Sequence, residues 1–220
     1  MQVDFYFSPT SRYSYLASTQ LDAIAERTGC TFVWKPLNNH AILARNGSDP
    51  FLSEQLLSGQ YAWSYREYDA KCWADYYGVP FVEPVHFRCD PPYITHGCFA
   101  AEACGRLVPF SKRLFQAIFI ESRPIEATDL ADLALAAGLS ETAFEQARAD
   151  PHTREREASV LDEAVANGVF GVPTFRLDGR PYWGNDRLIL LEHALKKRPA
   201  GAVTQMADTG VTASPPRARS

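Results

Sequence analysis

The first 36 residues carry a pattern of polar and hydrophobic positions that predicts a strand, a helix and a second strand. Residues 4–7 (DFYF) alternate polar and aromatic side chains, as in a short strand, and residues 8–10 (SPT) favour a turn. From Ser11 onward, apolar side chains recur at steps of three and four residues, which predicts a helix with one apolar face. Residues 31–35 (TFVWK) predict a second strand that Pro36 breaks. This order is typical of a βαβ unit with parallel strands.

The middle of the chain, from about residue 51 to residue 167, has the character of helices. The connection before it, residues 37–50, contains Asn-Asn and Asn-Gly turn signals, so we expect a loop-rich segment there. The block is too long to be a loop itself. Helices are predicted over residues 62–77, 93–107, 109–121, 129–137, from 140 onward, and 151–167.

The last part of the chain returns to strands. Residues 174–177 and 181–183 flank Asp178-Gly179, which is the strongest hairpin signal in the sequence. A final helix is predicted from Gly184 to about Lys197, with Asn185 as its N-cap. Residues 199–220 are rich in Ala, Thr, Gly, Pro and Ser, which predicts a disordered tail.

The order of these elements predicts an α/β fold. A βαβ unit, a helical block and a ββα unit give the thioredoxin arrangement when the block is left out. We therefore expect a discontinuous thioredoxin-like domain made of residues 1–60 and 168–198. An all-helical insert domain, residues 61–167, would interrupt it, and the tail 199–220 would follow it.

Composition narrows the class of protein. Hydrophobic residues make up 46% and charged residues 22%, which are ordinary values for a soluble globular protein. A net charge of −4 argues against a nucleic-acid or membrane-surface partner. There is no apolar run of about 18 residues and no signal-like start, so a cytoplasmic protein is expected.

The five cysteines do not indicate a disulfide framework, because their number is odd and no pair has C-x-x-C spacing. Free thiols are expected, and Cys89 is read as a small buried hydrophobic residue in preference to a redox group. Histidines and cysteines are scattered, so no metal site is predicted.

The junction of the first strand and helix is the candidate for chemistry. Unpaired N–H groups at a helix start, here at Ser11, can hold an anion; the alternative is that Ser11, Thr10 or Ser8 is only an ordinary N-cap. In thioredoxin-like proteins a cis-proline loop faces this point, and residues 171–174 (GVPT) are the candidate; the sequence leaves the isomer of Val172-Pro173 open. Ser11 and Ser14 stand where a disulfide exchanger needs two cysteines, so this site alone cannot exchange disulfides.

Four motifs together resemble one family. They are DFYF-x-x-x-S-x-Y-SYLA at the start, D-x-x-x-W-A-x-YYGVPF at residues 69–81, VFGVPTF at 169–175 and WGNDRL at 183–188. In this order they resemble the 2-hydroxychromene-2-carboxylate isomerases, in the group that also contains the kappa-class glutathione transferases. The resemblance covers roughly residues 3–195.

The resemblance implies glutathione as cofactor and a homodimer. In the family, the serine that matches Ser11 hydrogen-bonds the glutathione sulfur and keeps it as thiolate. The backbone of Val172 beside Pro173 would pair with the cysteinyl part, and Asn185 and Asp186 match the binders of the γ-glutamyl part. Asn46 falls in the loop that supplies a further glutathione contact.

A small aromatic carboxylate is the implied substrate, isomerised during the catabolism of aromatic compounds. Aromatic walls and a cation would suit it, and the candidates are Tyr65, Tyr68 and Trp73 with Arg66 or Lys71, unless the aromatic residues are simply core. The family usually has Pro at the position of Arg12 and Arg at the position of Cys72. Arg12 would help to bind an acidic substrate or would face solvent.

Two other functions remain open. A kappa-like glutathione transferase or peroxidase would use Ser11 in the same way, and only turnover separates it from an isomerase. A non-catalytic thioredoxin-fold binding module would have no affinity for glutathione and no dependence on Ser11.

Overall fold

The computed structural model describes residues 1–47, 59, 62–84 and 91–197 of the chain. The strands in these residues form one sheet in the order β2-β1-β3-β4. β2 runs parallel to β1, β3 antiparallel to β1, and β4 antiparallel to β3. The sheet confirms the predicted α/β thioredoxin-like arrangement of a βαβ unit and a closing hairpin. The strands are β1 (Gln2–Phe7), β2 (Thr31–Pro36), β3 (Thr174–Leu177) and β4 (Arg180–Trp183).

Most of the helices come between β2 and β3, as the sequence predicts, with ends that differ by a few residues. A short 3-10 helix, Asn185–Arg187, follows β4. The α-helices are α1 (Arg12–Ser18), α2 (Leu21–Thr28), α3 (Asn39–Arg45), α4 (Trp63–Tyr77), α5 (Pro91–Ala103), α6 (Leu107–Phe119), α7 (Ala127–Ala136), α8 (Glu141–Ala149), α9 (Pro151–Ala166) and α10 (Leu188–Lys196).

The prediction of a single helix after Ser11 is wrong, because the helix is interrupted between α1 and α2. The Ser18 and Thr19 hydroxyls each donate to a carbonyl three residues back, at 2.7 Å. Side chains that bond the backbone in this way compete with the helical ladder. The result is a first helix of only seven residues behind Ser11.

The loop expected over residues 37–50 contains helix α3. Asn38 is its N-cap and accepts from the backbone N–H groups of His40 and Ala41. The Asn-Asn pair that indicates a turn therefore starts a helix. Pro36 is the last residue of β2 and pairs with Phe7 of β1. β2 is an edge strand of the sheet, where a proline is tolerated.

The final helix differs from its prediction as well. The 3-10 turn precedes α10, and the Asn185 side chain caps neither of them. Asn185 is instead buried, with 3% of its surface exposed. The prediction that Asn185 is an N-cap is therefore wrong.

A continuous aromatic core joins the sheet to the helical block. Phe5 of β1 stacks on Phe175 of β3 at a ring distance of 5.0 Å, and Phe7 lies 5.9 Å from Phe115 of α6. Tyr15 of α1 stacks on Phe119 and donates its hydroxyl to the carbonyl of Pro80. The helical block thus holds α1, and with it Ser11, against the sheet. The division into two domains stays a prediction.

Several predictions lie outside the described residues, among them Cys89 and the whole of the predicted tail, residues 199–220. Within the described part of the chain, no helix is both long and apolar enough to cross a membrane.

Candidate active site

Three segments that the sequence singles out meet at one edge of the sheet. β1 ends at this edge and leads into the turn before Ser11, while β3 begins there directly after Pro173. The register pairs Tyr6 with Thr174 and Thr174 with Trp183, so β4 ends at the same edge before Asn185 and Asp186. The N–H of Gly184 donates to the carbonyl of Pro173 at 2.9 Å, and α1 packs against the 3-10 helix.

Ser11 is the N-cap of α1, and its hydroxyl group can also donate a hydrogen bond. Its Oγ accepts from the N–H of Ser14 at 3.2 Å, and its own N–H donates to the carbonyl of Ser8 at 3.1 Å. The hydroxyl proton of Ser11 has no acceptor among the described residues. A hydroxyl can accept and donate at once, so capping and anion binding are compatible at this serine.

The Val172-Pro173 peptide bond is cis. The Thr174 hydroxyl donates to the carbonyl of Gly171 at 2.7 Å and holds the loop against β3. The Trp183 indole packs closely on Gly171, and a Cβ added to Gly171 would lie 2.8 Å from Trp183 Nε1. Neither the N–H nor the C=O of Val172 is hydrogen-bonded within the described residues, so both can pair with an added extended peptide.

Asn185 and Asp186 offer one donor and one carboxylate beside this loop. The carbonyl of Asn185 accepts from the Tyr77 hydroxyl at 3.2 Å, whereas its buried Nδ2 has no hydrogen-bond partner in the described structure. Asp186 is half-buried and lies 3.5 Å from Arg187 Nη1. A ligand with an α-amino acid group would complement both side chains.

Asn46 lies near the same loop, but the donors of its amide are occupied. Nδ2 donates to the carbonyl of Ile42 at 2.8 Å and to that of Val169 at 3.2 Å. The side chain therefore ties the end of α3 to the segment that precedes Val172. Its predicted contact with glutathione stays a prediction.

Arg12 does not face solvent, which removes one of the two alternatives stated for it. It is 6% exposed, its Nη1 lies 2.9 Å from Glu83 Oε2, and its guanidinium carbon lies 4.4 Å from the centre of the Trp63 ring. Burial lowers the pKa of Arg12, and Glu83 opposes this effect. Burial likewise raises the pKa of Glu83, against the effect of Arg12.

Among the described contacts, neither Tyr65 nor Trp73 of α4 packs on Arg12. Tyr65 is half exposed, and Trp73 packs on Tyr76 and Tyr77 at ring distances of 5.7 and 5.4 Å. The ring beside Arg12 is Trp63, which the motif-based reading misses together with Glu83. Helical spacing could have indicated Trp63, because residues 63, 66, 70, 74 and 77 form one face of α4.

The described cysteines do not supply a redox pair. Cys30, Cys72, Cys98 and Cys104 are free thiols, as predicted. Cys98 is fully buried, and burial raises its pKa to about 12. A thiol of this kind is not ionised near neutral pH and does not act as a nucleophile.

Comparison with known proteins identifies the fold family of the chain. The model of the DSBA-like thioredoxin domain matches residues 2–196. The 2-hydroxychromene-2-carboxylate isomerase of Pseudomonas putida is 29% identical over 196 residues, which cover 89% of this chain and 94% of that protein. That of Sphingobium xenophagum is 29% identical over 205 residues, covering 88% and 97%.

A solved structure of a 2-hydroxychromene-2-carboxylate isomerase superposes with a TM-score of 0.77 at 28% identity. It covers 90% of this chain and 95% of the solved chain. These similarities confirm the resemblance inferred from the four motifs and support an isomerase. The match over residues 2–196 means that the chain belongs to the family of DSBA-like thioredoxin domains.

Proposed function

We propose that the protein is a glutathione-dependent isomerase of 2-hydroxychromene-2-carboxylate type substrates. The observation that carries the proposal is found at one edge of the sheet. Within the described residues, the Ser11 hydroxyl proton, the Val172 backbone and the Asn185 Nδ2 have no hydrogen-bond partner there. Similarity to isomerases of this name over about nine-tenths of the chain supports it. The expected cytoplasmic homodimer is part of the same proposal.

The residues at this edge fit glutathione as a peptide-like cofactor. Val172 would pair its N–H and C=O with the cysteinyl unit, as a neighbouring strand would. Asn185 Nδ2 would donate to the γ-glutamyl carboxylate, which would satisfy a buried donor that otherwise costs stability. Asp186 would pair with the ammonium group of the same unit.

Bound glutathione would supply a thiolate nucleophile that adds to the substrate reversibly and so permits rotation about a former double bond. Ser11 would donate a hydrogen bond to the sulfur, and such a bond to a charged group contributes about 1.5–3 kcal/mol. This lowers the thiol pKa by roughly 1–2 pH units, which makes thiolate a major species near neutral pH. The seven-residue α1 would add only the lower part of the usual helix-dipole contribution.

The test is turnover of 2-hydroxychromene-2-carboxylate with and without glutathione, while free glutathione is measured throughout. We expect isomerisation that requires glutathione and leaves its concentration unchanged. Stoichiometric consumption of glutathione with an electrophile, and no isomerisation, would favour the kappa-like transferase or peroxidase. The absence of both reactions and of glutathione binding would favour the binding module.

A further inference from the structure

The ion pair between Arg12 and Glu83 is buried but is not completed by hydrogen bonds. Each side chain is 6% exposed, and the atoms Arg12 Nη1 and Glu83 Oε2 are 2.9 Å apart. Their orientation does not make a hydrogen bond, so Arg12 Nη1 and both Glu83 oxygens have no hydrogen-bond partner in the described part of the chain. Buried polar atoms nearly always have such a partner. One donor and two acceptors are therefore left unsatisfied inside the buried pair, and a bound molecule reaches them by moving these two side chains apart.

Other charged groups around Glu83 belong to α4. Arg66, Glu67 and Lys71 all act on its carboxyl group, together with Arg12. Lys71 pairs with Glu67 at 2.6 Å, so part of this charge is already compensated. The buried pair itself carries the unused hydrogen-bonding capacity.

Trp63 gives the same place an aromatic surface. One part of the indole contacts the Arg12 guanidinium, and 51% of the side chain remains exposed. A half-exposed ring beside a buried ion pair complements a molecule that has a ring at one end and a polar head at the other. Arg12 also directly follows Ser11 in the chain, the residue proposed to hold the thiolate.

We infer that Arg12, Glu83 and Trp63 form the subsite for the acid head of an aromatic 2-hydroxy acid. Arg12 donates to the carboxylate, Glu83 accepts from the hydroxyl on the neighbouring carbon, and Trp63 contacts the ring. The inference rests on the proposed function, because the substrate class named there carries a hydroxyl and a carboxylate on one carbon. It adds Glu83 and Trp63 to the site and explains why a cation stands at position 12.

The experiment compares two ligands that differ only in the 2-hydroxyl group, 3-phenyllactate and 3-phenylpropanoate. Each is titrated calorimetrically into the wild-type protein, with and without saturating glutathione. We expect the hydroxy acid to bind about tenfold or more tightly than its partner, as a hydrogen bond to a charged acceptor implies. In Glu83→Gln this preference falls to about threefold or less, because the amide oxygen is a weaker acceptor than a carboxylate.

The double variant Arg12→Pro/Glu83→Leu removes both buried charges and leaves neither unpaired. Proline is tolerated here because Arg12 is the first residue of α1 and Ser11 is extended, with φ −97° and ψ 119°. We expect this variant to bind both acids weakly and equally while it still binds glutathione. Arg45→Met, which removes a surface ion pair with Asp162, is the matched control and should keep the wild-type preference.

An unchanged preference for 3-phenyllactate in Glu83→Gln and in the folded double variant would overturn the subsite. Equal affinity of the wild-type protein for the two acids would overturn it as well. If the double variant does not fold, Glu83→Gln decides. Failure of the wild-type protein to bind glutathione or to isomerise would count against the proposed function instead, since the acid titrations without glutathione are read separately.

Discussion

At the scale of single residues, Ser11 caps α1, and the proposed mechanism gives its hydroxyl proton a second role in binding the thiolate. Its oxygen accepts from the Ser14 N–H at 3.2 Å, which caps α1, while its proton has no acceptor in the described residues. The contribution of the cap to stability and that of the proton to anion binding are independent quantities. A substitution changes both, so its two effects need separate controls.

The substitution Ser11→Ala should abolish most of the isomerase activity and lower the free energy of unfolding by about 1 kcal/mol. Ser140→Ala is the matched control, because Ser140 caps α8 through the same contact, a 3.2 Å bond from the Ala143 N–H. Denaturation and turnover are measured on both variants. A similar loss of stability is expected in both, but a loss of turnover only in Ser11→Ala. Equal loss of activity in Ser140→Ala would reduce Ser11 to a cap.

A variant of Asp186 tests the contact proposed for the γ-glutamyl end of glutathione. Asp186→Asn removes the charge that would pair with the ammonium group, and we expect the affinity for glutathione to fall about tenfold to hundredfold. The control is Asp22→Asn, which removes an exposed partner of Lys112 between two helices. Calorimetric titration of glutathione measures both. Wild-type affinity in Asp186→Asn would exclude the carboxylate from the site.

At the scale of elements, the loop that contains Val172 and Pro173 depends on close packing by Trp183. The indole lies against Gly171, and the Thr174 hydroxyl holds the carbonyl of the same glycine. Glycine is required at this position by proximity, since its φ is not in the left-handed region. The conformation of the loop therefore depends on the packing of Trp183 in β4 as well as on the sequence of the loop.

Gly171→Ala should displace either the indole or the loop, because the new Cβ would lie 2.8 Å from Trp183 Nε1. Overpacking of this kind costs about 1–3 kcal/mol of stability, and we expect weaker glutathione binding with it. Gly97→Ala in α5 is the control, with its Cβ 3.1 Å from Leu130 Cδ1 and remote from the loop. If Gly171→Ala bound glutathione like the wild-type protein, the loop would not be part of the site.

Much of the site could be predicted from the sequence, because its parts adjoin recognisable strands. Ser11 follows β1, Val172 and Pro173 precede β3, and strand pairing brings these ends together. The break after Ser18 and the helix after Asn38 were predicted wrongly, because Ser, Thr and Asn side chains that bond the backbone are compatible with a turn and with a helix end. Glu83 could not be recognised from the sequence, because its ion pair with Arg12 joins residues that are far apart along the chain.

At the scale of the whole molecule, ion pairs join elements that are far apart in the sequence. Glu192 of α10 binds Arg27 of α2 at 2.7 Å and Lys196 within its own helix at 2.7 Å. Hydrogen bonds from Arg27 and Lys196 lower the pKa of Glu192 to about 2, from an ordinary value of 4.5. A carboxylate with a depressed pKa stabilises the fold above its unfolded pKa and ceases to do so as the pH falls through its folded value.

Glu192→Gln should therefore lower the free energy of unfolding near neutral pH. The difference from the wild-type protein should shrink as the pH falls from 4.5 towards 2. Denaturant titrations at a series of pH values measure it. Asp162→Asn, which removes an exposed pair with Arg45, is expected to show little difference at any pH. A difference for Glu192→Gln that stayed constant down to pH 2 would contradict the assigned pKa.

In the proposed mechanism, Ser11 holds glutathione as a thiolate at the edge of the sheet. The most direct test is a titration of glutathione into wild type, Ser11→Ala and Ser140→Ala near neutral pH, following heat and the ultraviolet absorbance of the thiolate. The proposed mechanism predicts binding with a thiolate signal in wild type and Ser140→Ala, and loss of that signal in Ser11→Ala. No binding at millimolar glutathione, or an equal thiolate signal in Ser11→Ala, would contradict it.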